Sequence, residues 1–207
     1  MKKLFAILCI PFLLGAKSEN YQPIAPCYKA DIIFVIDYSG SMSSSIPYYQ
    51  TWLQTTVREL PLSINLKAGF LLFSDNVCPT MCPLTEDLFL LEEKIPELRN
   101  CPSCGTYLEE ALKKSKELFD ESEKERNEKV SKILVLVTDL DVSDPVESCE
   151  IIYSEMSDIF FVLIDPDSVR GMQRVDDLKN CILHNGIYFN GLVPVYQDLL
   201  KQFDPCM

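Results

Sequence analysis

Residues 30–37, Ala-Asp-Ile-Ile-Phe-Val-Ile-Asp, form an unbroken apolar, β-branched run that ends in an acid. Apolarity that does not alternate predicts a strand covered on both faces. Residues 132–138 and 158–164 repeat the pattern, and weaker runs lie at 66–73 and 186–189. Between the runs the apolar spacing changes to three and four residues, at Ile46, Tyr49, Leu53, Val57 and Leu60, and again at Leu108, Ala111, Leu112, Ser115 and Phe119. That period predicts amphipathic helices. Further helices are predicted near 86–98, 145–156, 169–180 and 194–203, while the mixed charges of 120–129 predict a solvated helix end and loop. Strands alternating with helices predict an α/β fold, a doubly wound, mostly parallel central sheet with helices on both faces in three layers. Ligands of such sheets sit beyond the carboxyl ends of the strands. Asp37, which ends the first run, and Asp139, which follows the run at 132–138, are therefore candidate functional residues.

The start of the chain follows a different pattern. Lys2 and Lys3 precede an apolar run over 4–14 that closes on Gly15 and Ala16. This is the layout of a signal peptide over residues 1–16, and the run is shorter than the roughly twenty residues of a spanning helix. The expected organisation is a leader (1–16), an N-terminal lead (17–29) and one domain (30–207), exported and without membrane insertion. Net charge is -12 and becomes more negative once Lys2 and Lys3 are removed. Such a surface repels phosphate backbones and anionic lipid, which argues against nucleic acid as a partner.

Cys9 falls in the leader, leaving Cys27, Cys78, Cys82, Cys101, Cys104, Cys149, Cys181 and Cys206. In an exported chain this even set predicts up to four disulfides. Cys27 with Cys206 is the favoured pair, since those two bracket the domain. The spacing of Cys78, Cys82, Cys101 and Cys104 also suits a four-thiolate zinc site, which export disfavours.

Directly after the first run comes Asp37-Tyr38-Ser39-Gly40-Ser41, with a carboxylate and two hydroxyls at alternate positions. Gly40 permits a sharp bend on which the three oxygens can converge, and an all-oxygen set suits a hard cation. The same residues also suit an ordinary turn or helix cap. The arrangement resembles the von Willebrand factor A domain, whose metal-ion-dependent adhesion site opens with Asp-x-Ser-x-Ser after its first strand. Two more segments carry the resemblance: Gly105-Thr106 leading into a helix, and the apolar run that delivers Asp139. The resemblance implies that Ser39 and Ser41 bind the cation directly, Thr106 directly or through water, and Asp37 and Asp139 directly or through bridging waters. The implied cation is Mg²⁺, or Mn²⁺ or Ca²⁺. The implied partner is a protein ligand presenting Asp or Glu, from the extracellular matrix or a cell surface. The family usually has glycine after the second acid; here Leu140 stands there, followed by Asp141.

Catalysis finds little support in the residues. The one histidine, His184, sits in a turn-like His-Asn-Gly, and no nucleophile elbow, phosphate loop or dinucleotide fingerprint is present. The expectation is a protein-binding domain rather than an enzyme. Two alternatives stand beside it: a metal-dependent, phosphatase-like hydrolase using Asp37, Asp139 and Asp141, and a metal-free structural interaction module.

Overall fold

The computed structural model describes residues 29–75, 82–97, 105–165 and 175–192. Their strands are β1 (Ala30–Asp37), β2 (Leu66–Phe73), β3 (Cys82–Thr85), β4 (Ser131–Val137), β5 (Ile159–Asp165) and β6 (Gly186–Asn190). The helices are α1 (Ile46–Glu59), α2 (Leu88–Lys94), α3 (Glu109–Arg126), α4 (Pro145–Glu155) and α5 (Val175–Leu183). The strands make one sheet in the order β3-β2-β1-β4-β5-β6, parallel except at β3. This is the predicted mostly parallel α/β architecture.

The unbroken apolar runs are explained by two cores, one on each face of the sheet. Ile32, Phe34 and Ile36 of β1 face Trp52, Leu53 and Val57 of α1, while Ile33 and Val35 belong to the core that includes Leu112 and Phe119 of α3 and Ile151 and Ile152 of α4. Successive side chains of a strand point to opposite faces, so a strand buried on both must be apolar at every position. β1 lies at the centre, paired with β2 on one side and β4 on the other. That central position puts its carboxyl end at the crevice where ligands of such sheets bind.

Two elements differ from the sequence expectation. β3 is an antiparallel edge strand, four residues long, whose register shifts between its pairings with Ala68 and Phe70. The intervening Gly69 lets the backbones approach, since a Cβ there would lie 2.9 Å from the carbonyl oxygen of Cys82. A strand so short, in a Cys-Pro context, has no alternation by which to be recognised. α3 also runs on through Asp120 to Arg126, so most of the stretch expected as a helix end and loop is helix. Lys116 pairs with Asp120 one turn below it, and Lys132 of β4 lies within ion-pair distance of Asp120 and Glu123, so mixed charge here supports helix. The helix stops at Asn127, which adopts the left-handed conformation at φ 53°.

Of the eight cysteines, Cys149 and Cys181 are bonded, with Cα atoms 5.6 Å apart, and tie α4 to α5. Cys82 differs from the expectation of a disulfide at that position. Its thiol is free, fully buried in the core with Leu91 and Ile95, and pushed up to about 11 by that burial. Cys27, Cys78, Cys101, Cys104 and Cys206 lie outside the described residues, as do residues 1–16, expected as a leader, and the helix expected at 194–203.

Candidate functional site

β1 carries Asp37 to the end of the sheet and buries it completely. One carboxylate oxygen accepts the Ser39 N–H at 2.9 Å and the other accepts the Thr138 hydroxyl at 2.8 Å. These two bonds fold the chain back after the strand and join the ends of β1 and β4. Ser39 is then nearly buried, and its Oγ lies 3.1 Å from Ser41 Oγ. The turn continues as a 3-10 helix over Gly40–Ser45, anchored where Met42 N–H reaches the Ser39 carbonyl at 3.1 Å.

Thr106 comes from the loop between α2 and α3 and is 4% exposed. Its position depends on bonds to two neighbouring loops. The carbonyl of Ser74, just past β2, accepts Tyr107 N–H at 2.8 Å, and the Thr106 carbonyl accepts Ser143 N–H at 2.6 Å. Asp75 accepts the N–H of Gly105, and a Cβ on Gly105 would lie 2.6 Å from that carboxylate oxygen. A side chain at this position would have to displace the Asp75 carboxylate and so break the bond that holds the loop. Asp144 completes the frame by taking the N–H of Leu108 at 2.9 Å and of Glu109 at 2.7 Å. Those are orphan donors at the start of α3, so the loop after β4 caps the helix that follows Thr106. Asp144 also stands at the N-cap position of α4, where a carboxylate would bond the first N–H groups of that helix. Its side chain makes no such bond and caps α3 instead.

Asp139 is half-buried two residues past the end of β4, and its Oδ1 accepts the Asp141 N–H at 3.1 Å. Leu140 between them takes φ 63°, the left-handed conformation natural to glycine. Its N–H donates to Thr138 Oγ1 at 3.0 Å, and its side chain, 4% exposed, packs into the core beneath α3 and α4. The loop thus keeps a glycine-type backbone and gains a buried leucine. Left-handed geometry costs a non-glycine residue about 1–2 kcal/mol, whereas deleting a buried leucine side chain costs about 2–5 kcal/mol. Leu140→Gly is accordingly expected to lower the urea midpoint despite relieving the strain. A raised midpoint would mean that the side chain contributes little packing.

Ser39, Ser41 and Thr106 line one cleft, together with Asp141. Asp37 lies behind Ser39, its oxygens engaged by the loop rather than lining the cleft, and Asp139 is likewise not among the lining residues. Burial pushes the Asp37 carboxyl up to about 6, opposed by the bonds from Ser39 and Thr138 and reinforced by the charge of Asp139. Neither Lys nor Arg makes a described ion pair with Asp37. Two adjacent hydroxyls in front of a desolvated, uncompensated carboxylate form a donor set that fits a hard divalent cation. Among the described residues no group of three or more His, Cys, Asp or Glu side chains is placed to hold a metal, so Asp37, Asp139 and Asp141 do not form a carboxylate cage. His184 is exposed after α5, its ring edge against Tyr153, away from these loops.

Comparison with known proteins gives one family. The family model for the von Willebrand factor type A domain matches residues 31–181. No curated protein matches the chain in sequence. Among solved structures, the manganese-loaded TRAP protein of Plasmodium vivax aligns at 16% identity and TM-score 0.65, over 87% of this chain and 74% of that one. An aerotolerance-related membrane protein from Bacteroides fragilis aligns at 17% identity and TM-score 0.63, over 86% and 100%. Proximal thread matrix protein 1 from the mussel byssus, solved with zinc in its MIDAS motif, aligns at 20% identity and TM-score 0.63, over 84% of this chain and 47% of that one. At such identities the structural likeness establishes the fold.

Proposed function

Since this chain belongs to the von Willebrand factor type A domain family, whose members are generally interaction modules rather than enzymes, we propose that it is a secreted protein-binding domain that works through a divalent cation. In this reading Ser39, Ser41 and Thr106 hold the cation, Mg²⁺ by preference or Mn²⁺ or Ca²⁺. Asp37 and Asp139 stand behind the hydroxyls and balance its charge. The bound ion supplies an electrophilic point for a Glu or Asp of a protein partner, because neutral hydroxyls leave most of its charge uncompensated.

The observation that carries the reading is the pairing of Ser39 Oγ and Ser41 Oγ at 3.1 Å over a fully buried Asp37. The chain's own residues prepare this arrangement: Asp37 fixes the loop through Ser39 N–H, Thr138 ties it to β4, and Asp144 holds the Thr106 loop against the same crevice. The leader-like start at 1–16 supports export, and no helix among the described residues is long and apolar enough to cross a membrane.

Melting the protein in Mg²⁺ and in chelator tests the cation directly. Saturating Mg²⁺ at about a hundred times Kd stabilises by about 2.7 kcal/mol, or about 5–10 °C for a domain of this size. That shift is expected in the parent and lost in Ser41→Ala and in Thr106→Ala. Equal melting of the parent in both buffers would favour the metal-free interaction module. Metal-dependent turnover of a phosphoester would favour the hydrolase, which the absence of a carboxylate cage among the described residues disfavours.

A further inference from the structure

We propose that the cleft beside the candidate cation site selects an extended partner segment in which a Lys or Arg stands about two to four residues from the coordinating acid, with apolar side chains between them. The inference rests on the carboxylate-binding reading above and specifies the partner of that same site. One cleft of about 920 Å³ runs from Ser41 and Thr106 along α4 as far as Tyr153 and Asp177. Its far part is both apolar and acidic. Val146 is 64% exposed and Tyr153 52%, large side chains left in solvent on the outer side of α4. Asp141, Glu150 and Asp177 are exposed along the same lining and make no ion pair among the described residues.

No Lys or Arg is among the described residues that line the cleft. The described ion pairs lie elsewhere, along α3 and around the starts of the strands in particular. A partner offering only acids would meet a cation at one end and repulsion from three carboxylates everywhere else, on a chain whose net charge is -12. A segment that carries both signs resolves the conflict: the acid faces the cation, and the base faces Glu150 and Asp177.

The length of α4 along the cleft sets the scale of the spacing. From Val146 to Tyr153 the axis of α4 advances about 10 Å at 1.5 Å per residue. An extended chain covers that distance in about three residues at roughly 3.3 Å each. The long side chain of Lys or Arg widens the window by about one residue either way.

A displayed peptide library with one fixed Glu amid random positions, captured on the immobilised full chain in Mg²⁺ and eluted with chelator, tests the inference. Lys and Arg are expected to be enriched at least about threefold at two to four residues from the Glu. On the E150Q/D177N double variant, chelator still releases peptides, and the enrichment is lost. Chelator-released peptides without that enrichment, or enrichment that survives the double variant, overturn the inference and leave the cation reading standing. If chelator releases no peptide at all, the cation reading fails and takes the inference with it. A Mg²⁺-dependent dimer that captures no peptide makes the cleft an interface between copies of this chain, which also overturns the inference.

Discussion

Arg126→Met is expected to cost the fold about 3–5 kcal/mol at neutral pH, because it leaves the carboxylate of Asp31 buried without its counter-ion. Asp31 at the start of β1 is fully buried, and Arg126 at the end of α3 approaches it at 2.6 Å with its side chain 7% exposed. The pair is imperfect even so. Asp31 Oδ2 and Arg126 Nε have no hydrogen bond of ordinary geometry, and burial raises the Asp31 pKa above its ordinary value although the nearby Ser122 hydroxyl, Arg126 and Lys67 oppose the shift. Desolvation therefore outweighs the attraction, the situation in which an apolar pair of similar volume matches or exceeds a buried ion pair. The double variant Asp31→Leu with Arg126→Met should accordingly recover most of the loss. A group whose pKa is raised by folding contributes stability below its unfolded value and loses it as pH rises through the folded one. The Arg126→Met deficit should thus be smallest near pH 4 and grow toward neutrality. Urea titrations of the parent, both single variants and the double variant at two pH values check this. A double variant no better than Arg126→Met alone would mean that the ion pair stabilises the fold outright.

This pair also marks the limit of what the sequence discloses. The long elements were legible because burial on both faces demands unbroken apolar runs, as in β1, β4 and β5, and because α1 repeats its apolar positions at helical spacing. Charge read in isolation misleads. Asp31 inside a strand and the mixed run that contains Arg126 only make sense together, and the partners are 95 residues apart. The candidate site divides along the same line. Asp37, Ser39 and Ser41 sit within one turn and could be read locally, whereas Asp144 capping α3 and Asp75 holding Gly105 act between loops separated by at least 30 residues. Asp144 stands at the N-cap of α4 yet caps α3, because a carboxylate caps whichever orphan N–H groups tertiary packing brings nearest. Leu140 behaves similarly. Its residue type signals a departure from the family's glycine, yet its backbone retains the glycine conformation, with core packing offsetting the strain.

Asp37→Asn should invert the order of stability between chelated and Mg²⁺-containing buffers. In the chelated protein the Asp37 carboxyl titrates at about 6 when folded, against 3.8 as its ordinary value. Its contribution to stability is complete below about pH 4 and is lost as pH rises through 6, a penalty of order 3 kcal/mol at pH 7.5. Asparagine carries no charge to desolvate. It retains an oxygen for Ser39 N–H and presents an amide to Thr138, whose hydroxyl must turn, so part of the gain is given back. The chelated variant is therefore expected to melt above the chelated parent at pH 7.5, and the two to converge as the pH falls toward 4. A divalent cation in front of the carboxylate reverses this, because a nearby positive charge favours the ionised form and draws its pKa down. In Mg²⁺ the parent should gain several degrees and overtake the variant, whose amide no longer balances the ion. Melting curves of both proteins, with and without Mg²⁺ at pH 5 and 7.5, contain the whole test. A parent that is more stable in every buffer would mean that the Asp37 charge is already compensated within the chain, and the physical case for a cation at Ser39 and Ser41 would go with it.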